Sequence, residues 1–309
     1  MTETAILADR LRKTFDDVVA VGQISLAVPR GTVLGLLGAN GAGKTTMVRM
    51  LTTVLKPTSG RGVVNGFDVL EEPQAVRRNI GLAGQYAAVD ENLTGRENLV
   101  LVGRLTHIGK AAARQRAAEL LDQFHLTEAA DRPVRTYSGG MRRRLDLGAA
   151  LVTHPPVLFL DEPTTGLDPA SRLDLWAVIE TLVSDGTTVL LTTQYLEEAD
   201  RLADNIVVID KGLIAAEGTA TQLKARLGDT VIEFELADAA IANSAASLLG
   251  GTTSAGTVVR LVMSQGAVTL RDALNQLAAA DITPVNVALR EPTLDDVFLT
   301  LTGNSGVNS

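Results

Sequence analysis

Gly38-Ala39-Asn40-Gly41-Ala42-Gly43-Lys44-Thr45 fits the pattern G-x-x-x-x-G-K-[ST]. Glycines let backbone N–H groups come close to phosphate oxygens, because no side chain stands in the way. The loop follows the continuous apolar run Val33–Leu37 and opens a helical pattern, whose N-terminus adds partial positive charge at the same point. In such a loop Lys44 reaches the outer phosphates and the Thr45 hydroxyl reaches magnesium. A second apolar run, Leu158-Phe159-Leu160, ends on Asp161 and Glu162. In open α/β sheets, ligands bind at the carboxyl ends of strands. Asp161 there suits a magnesium ion, directly or through water, and Glu162 suits a general base that polarises an attacking water. Ser138-Gly139-Gly140 lies between the two motifs and precedes a helix. A hydroxyl, glycine N–H groups and a helix N-terminus together make a second anion site. A chain with one phosphate loop has a use for a second site if that site serves the nucleotide of another chain.

These residues need a scaffold, and the hydrophobic pattern supplies one. Residues 6–11, 25–28, 63–65, Ile80–Ala83, 157–160, 188–191 and 206–209 read as strands, as does Val33–Leu37. Helical patterns cover the stretch from Lys44 to about Leu55, residues 96–124, 142–151 and 172–184, and Leu196–Leu202. Helices alternating with fully apolar strands predict a mainly parallel sheet covered on both faces. The pattern changes at Leu227-Gly228-Asp229. Beyond it come strands at 231–236, 258–263 and 285–289, and helices at 238–249, capped by Asp238, and at 270–279. Residues 1–227 are therefore expected to form one α/β domain, and residues 228–309 a small α+β unit of the ferredoxin-like kind.

Bulk properties exclude several function classes. Net charge is −8 and the pI is about 5.0, a surface that repels nucleic acid. Cysteine is absent, so disulfide and thiol chemistry are excluded. No uncharged apolar run reaches the ~18 residues of a membrane span. Met1-Thr2-Glu3-Thr4 has no apolar leader pattern, so the chain reads as cytoplasmic, touching a membrane only through a partner.

The three motifs in this order resemble the nucleotide-binding subunit of an ATP-binding-cassette (ABC) transporter, and the resemblance covers residues 1 to about 227. It implies a P-loop ABC domain with a mainly parallel core sheet, a β-subdomain and a helical subdomain. It also implies ATP (or GTP) and Mg2+ as ligands. Tyr137-Ser138-Gly139-Gly140-Met141 matches the signature loop, which acts on the partner chain's nucleotide. By the same resemblance Phe15 stacks on the base, and the loop from Gly38 to Thr46 holds the phosphates. Gln85 contacts magnesium and signals to the membrane subunit, and Asp168 in Thr165-Gly166-Leu167-Asp168 crosses the dimer interface. The implied partners are a second copy of the chain, closing as an ATP-sandwich homodimer, and an integral membrane permease. The implied location is the cytoplasmic face of the membrane, as a peripheral subunit. Thr136-Tyr137-Ser138-Gly139-Gly140-Met141-Arg142-Arg143-Arg144 and Glu291-Pro292-Thr293-Leu294-Asp295-Asp296-Val297-Phe298-Leu299 resemble the daunorubicin-resistance type of drug exporter.

Two positions depart from the common family pattern. Gln194 stands where His is usual after a strand; its amide can hydrogen-bond a γ-phosphate but cannot exchange a proton near pH 7. The general base is then Glu162, with Gln194 as a phosphate sensor. Met141 replaces a commoner Gln and removes a hydrogen-bonding side chain. Other residues read blandly. His107, His125 and His154 are not clustered and read as structural, and Arg142-Arg143-Arg144 reads mostly as a solvated helix face, although one guanidinium could lie near phosphate. Phe15 without the resemblance has plain core as its lesser reading. The stripe Leu294, Val297, Phe298, Leu301 either packs on the small unit or meets another subunit. Two competing functions remain. A DNA- or ribosome-directed ABC ATPase is disfavoured by the acidic charge and by the 92 residues between Thr45 and Ser138, which hold no sustained heptads. An exporter ATPase for lipid, polysaccharide or peptide stays open, because the membrane subunit selects cargo.

Overall fold

The carboxyl ends of parallel strands gather the chemistry into one place. The computed structural model describes residues 3–84, 89–226, 230–254, 256–263, 267–290 and 293–303. A hairpin of β1 (Thr4–Phe15) and β2 (Val18–Pro29) leads through β3 (Val33–Leu37) to α1 (Lys44–Leu51). Then come β4 (Ser59–Val64), β5 (Phe67–Asp68), α2 (Pro73–Arg78) and β6 (Ile80–Ala83). Three helices, α3 (Gly95–Leu105), α4 (Lys110–Gln123) and α5 (Gly139–Ala150), precede β7 (Val157–Asp161). The order continues α6 (Pro169–Ser184), β8 (Thr188–Thr193), α7 (Leu196–Leu202), β9 (Asn205–Asp210) and β10 (Leu213–Gly218).

Strands β10-β9-β3-β8-β7-β6 form a sheet in that order, parallel except for the antiparallel edge strand β10. All residues of β3, β7 and β8 are buried. Alternation sends Leu158, Leu160, Val189 and Leu191 into a core shared with Leu99, Leu120, Phe124 and Trp176. Val157, Phe159, Leu190 and Leu36 face the opposite core, with Met47, Met50, Ile6 and Leu11. Two apolar faces, each covered, explain why these strands read as continuous apolar runs. A second sheet, β2-β1-β4-β5, is antiparallel and covers the α1 side.

Several boundaries differ from the sequence reading. β1 and β2 are each 12 residues long, far longer than the runs read at 6–11 and 25–28. Their register slips between Ala8 and Leu11, beside Arg10 and Gln23 at φ 49° and 64°. Such bulges break the period-2 pattern that marks a strand. The stretch 96–124 is two helices, because His107 turns left-handed at φ 64° and Gly109 caps α4. α1 stops at Leu51, where Thr53 follows at φ 63°.

Met1–Ala220 is one compact unit and Thr221–Ser309 a second. Helix α8 (Ala220–Ala225) lies at the division, and Leu227-Gly228-Asp229 lie outside the described residues. The second unit runs β11 (Val231–Glu235), α9 (Ala239–Leu249), β12 (Thr252–Ser254), β13 (Val258–Val262), α10 (Ala267–Ala279), β14 (Asn286–Arg290) and α11 (Leu294–Gly303). Its antiparallel sheet has the order β12-β13-β11-β14, so β11 through β14 follow the β-α-β-β-α-β path of ferredoxin-like folds. Ile232, Phe234, Val259, Ala242 and Leu277 are its core. Asp238 caps α9, its Oδ1 accepting from the Ile241 N–H at 2.8 Å. Leu294 and Val297 of α11 are buried.

Candidate nucleotide site

Register places the motifs side by side. β8 lies between β3 and β7, so Thr192 pairs with Leu36 on one side and Asp161 on the other. The phosphate loop leaves β3, the acids end β7, and Gln194 follows β8, all at one sheet edge. Gly38 must be glycine, since a Cβ there would stand 2.4 Å from the Ile209 carbonyl oxygen. Gly43 takes φ 110° and would meet the Ala20 carbonyl oxygen at 2.5 Å. Ala39, Asn40 and Gly41 are exposed above buried Gly38, Ala42 and Gly43. Thr45 and Thr46 are half-buried in the first turn of α1, where helical N–H groups have no partner within the helix.

Lys44 is the buried cation of this loop. Its Nζ donates to the carbonyls of Gly38 at 2.7 Å and Ala39 at 3.1 Å, and faces Glu162 Oε1 at 3.4 Å. The two side chains are only 3% and 6% exposed. Such a pair is kept because removing either partner strands a buried charge. Glu162 also accepts from the Thr165 hydroxyl at 3.4 Å. Its backbone turns left-handed, φ 50°, which lifts the residue out of the strand. The Glu162 N–H is held at 3.1 Å by both the backbone and the hydroxyl oxygen of Thr192. Thr192 Oγ1 in turn donates to Asp161 Oδ1 at 2.6 Å, and Thr45 Oγ1 donates to the same oxygen at 3.1 Å. One carboxylate oxygen therefore joins α1, β7 and β8.

Other expected residues stand apart or in supporting roles. Phe15 is 45% exposed near the β1–β2 turn, so the reading that it is core is wrong; Lys13 Nζ lies 5.0 Å from its ring centroid. Ser138 caps α5, its Oγ accepting from the Met141 N–H at 3.2 Å. The hydroxyl proton stays available for a second partner. Ser138 and Gly139 are exposed, Gly140 is buried, and half-buried Met141 packs against the helical core. Asp168 caps α6: its carboxylate accepts from the Ser171 N–H at 2.9 Å and hydroxyl at 2.8 Å. These bonds hold its carboxyl below the usual range. Gln194 is half-buried, and Gln85 lies outside the described residues. The three histidines occupy left-handed turns, φ 64°, 54° and 49° for His107, His125 and His154. Among the described residues no three His, Cys, Asp or Glu side chains gather into a metal cage.

Two residues escaped the sequence reading. Arg143 is not on a solvated face: its side chain is 13% exposed and reaches the carbonyls of Asp161 and Glu162. Glu198 on α7 is fully buried and accepts from Trp176 Nε1 at 3.0 Å. Burial pushes its carboxyl above the usual range. Neither carries a motif, and only the three-dimensional packing exposes them.

Fold and site together define a P-loop nucleotide-binding domain, with a phosphate loop, a strand-borne acid pair and a helix capped by Ser138. Residues 21–165 match the ABC transporter family model. The chain is 53% identical over 308 residues to the daunorubicin resistance ATP-binding protein of Streptomyces coeruleorubidus, covering 98% of each. It is 47% identical to the doxorubicin resistance ATP-binding protein of Mycobacterium tuberculosis, covering 97% of this chain and 94% of that one. Among solved structures, an ATP-binding subunit of an ABC transporter superposes with TM-score 0.66 at 27% identity, covering 73% of this chain and 94% of that one. A dimeric bacterial ABC transporter cassette gives 0.65 at 25% identity, covering 69% and 98%. This chain belongs to the ATP-binding proteins of the ABC transporter family. No helix among the described residues is long and apolar enough to cross a membrane.

Proposed function

We propose that this chain is the ATP-hydrolysing subunit of a drug exporter, acting as a homodimer beneath a separate membrane-spanning subunit. The observation that carries the reading is the buried Lys44–Glu162 pair, 3.4 Å apart at the mouth of the phosphate loop. A phosphate entering the loop competes for the Lys44 cation. Glu162 Oε1, no longer held by Lys44, then turns to the attacking water and accepts its proton. Thr45 and Asp161 supply hard oxygen donors 3.1 Å apart, which fit Mg2+, an ion that takes few protein ligands beside waters and substrate phosphates. Bound there, the ion would neutralise charge on the outer phosphates. Gln194, at the end of β8, senses the γ-phosphate through its amide, and Gln85 completes the magnesium contact. Phe15, 45% exposed, stacks on the base. Stacking accepts any base face, so discrimination between ATP and GTP should be weak.

Ser138, Gly139 and Asp168 are exposed, in keeping with a role against a second copy. Each copy would bind ATP on its phosphate loop and cap the partner's ATP with Ser138-Gly139-Gly140. Closure pulls on the membrane subunit from the cytoplasmic face, and hydrolysis at Glu162 reopens the pair. The drug cargo is carried over from the relatives' names. It is tested by disrupting this chain in its host and following a fluorescent anthracycline. Increased accumulation supports drug export. Unchanged accumulation with an ATPase-active chain moves the cargo to lipid, polysaccharide or peptide.

A further inference from the structure

Arg143 uses its whole guanidinium on one task. Nε donates to the Pro163 carbonyl at 2.6 Å, and one terminal nitrogen donates to the carbonyls of Asp161 at 3.2 Å and Glu162 at 3.1 Å. The other donates to the Gly84 carbonyl at 2.5 Å and faces Asp146 Oδ2 at 3.6 Å. Four hydrogen bonds and one ion-pair contact thus gather five oxygens around the guanidinium, close to the full donor capacity of an arginine. Three of those oxygens come from consecutive residues, Asp161 to Pro163. They are the carbonyls of a backbone that must leave the strand sharply, with Glu162 at φ 50°. The fourth is at the end of β6 and the fifth on α5 itself.

The base of this fork matters as much as its tips. Arg143 stands one turn into α5, the helix that Ser138 caps and that starts at Gly139. A helix of 12 residues moves as a rigid body, so a shift at its N-terminus is felt one turn further on. Gly139, Arg143, Glu162 and Thr165 line one cleft of about 250 Å3, so the start of the signature helix and the acid share a single space. Arg143 holds the main chain that aims the Glu162 carboxylate.

We propose that Arg143 is a positioning residue that locks the signature helix to the backbone of the acid pair, so that each chain's grip on its partner's nucleotide sets the readiness of its own site. The inference rests on the homodimer reading above. A lysine cannot replace the fork, because three donors on a point charge do not span carbonyls from separate segments.

The test uses the full-length chain with Arg143→Lys and Arg143→Gln, each also combined with Glu162→Gln. ATP binding by the single chain should stay within about twofold of wild type, since no phosphate-loop residue is touched. The turnover number should fall at least about tenfold, as small misplacements of catalytic groups cost up to about 100-fold. The Hill coefficient for ATP should drop toward 1, and the ATP-bound dimer trapped by Glu162→Gln should weaken. Wild-type turnover and cooperativity in Arg143→Lys would overturn the proposal. Parallel loss of ATP binding and thermal stability in both variants would reduce Arg143 to a structural residue and overturn it equally. Failure of Glu162→Gln alone to form an ATP-dependent dimer would instead sink the homodimer reading.

Discussion

Glu162 sits where two demands meet. Its left-handed backbone and its anchored N–H fix the carboxylate beside Lys44, in a pocket that excludes most water. Glu162→Gln keeps the shape and removes the base. ATP binding should be intact, phosphate release nearly abolished and the ATP-bound dimer stabilised; unchanged phosphate release would remove Glu162 as base. Gln194→His should retain or raise ATPase activity, because an imidazole can also donate to a phosphate. A collapse in phosphate release would mean that the amide is specifically needed. At this scale the motifs were legible because phosphate chemistry demands particular backbones: Gly38 and Gly43 have no room for a Cβ. Arg143 was not legible. A guanidinium that serves main-chain carbonyls matches no side-chain pattern, and in sequence it looks like its neighbours Arg142 and Arg144. Arg142, half-exposed, pairs with exposed Glu91 at 2.8 Å, whereas Arg144, only 19% exposed, faces Asp174 at 3.5 Å, so the solvated reading fails there too.

Elements were read well where burial is two-sided and poorly where bulges or turns intervene. β3, β7 and β8 are apolar throughout because both faces are covered, and their ends fixed the site. The β1–β2 hairpin and the break between α3 and α4 were missed because left-handed residues other than glycine carry no sequence mark. Asp238 shows the opposite case: its capping bond to Ile241 was expected from residue type alone. Asp238→Ala should cost the second unit about 1 kcal/mol. For a unit of that size this lowers its melting temperature by roughly 4–8 °C, measurable by calorimetry. An unchanged transition would deny the cap. Glu198 ties α7 to Trp176 of α6 from a fully buried position. Its folded-state carboxyl titrates above its unfolded value of about 4.3. In that window the unfolded chain loses the proton first, so stability falls as pH rises. Glu198→Gln keeps an acceptor for Trp176 and removes the titration. Its melting temperature relative to wild type should therefore rise between pH 4 and pH 8; a constant difference would contradict the burial argument.

In the proposed homodimer one chain is an incomplete enzyme: its phosphate loop and acids would serve one composite site, and its Ser138-Gly139-Gly140 the other. The conspicuous alternation at Val231–Glu235 made the second unit, with its ferredoxin-like path, readable without a function. Two crippled chains test the division directly. Lys44→Ala loses its own nucleotide site but keeps its signature loop, whereas Ser138→Arg loses the signature loop but keeps its nucleotide site. Each alone should hydrolyse ATP at background rate. In an equimolar mixture, random pairing leaves half the dimers mixed, each with one intact composite site, so activity should return to at most about a quarter of wild type, and to less where the Arg143 coupling withholds the lost grip. A mixture no more active than its parents, with both variants folded and Ser138→Arg still binding ATP, would contradict the shared site.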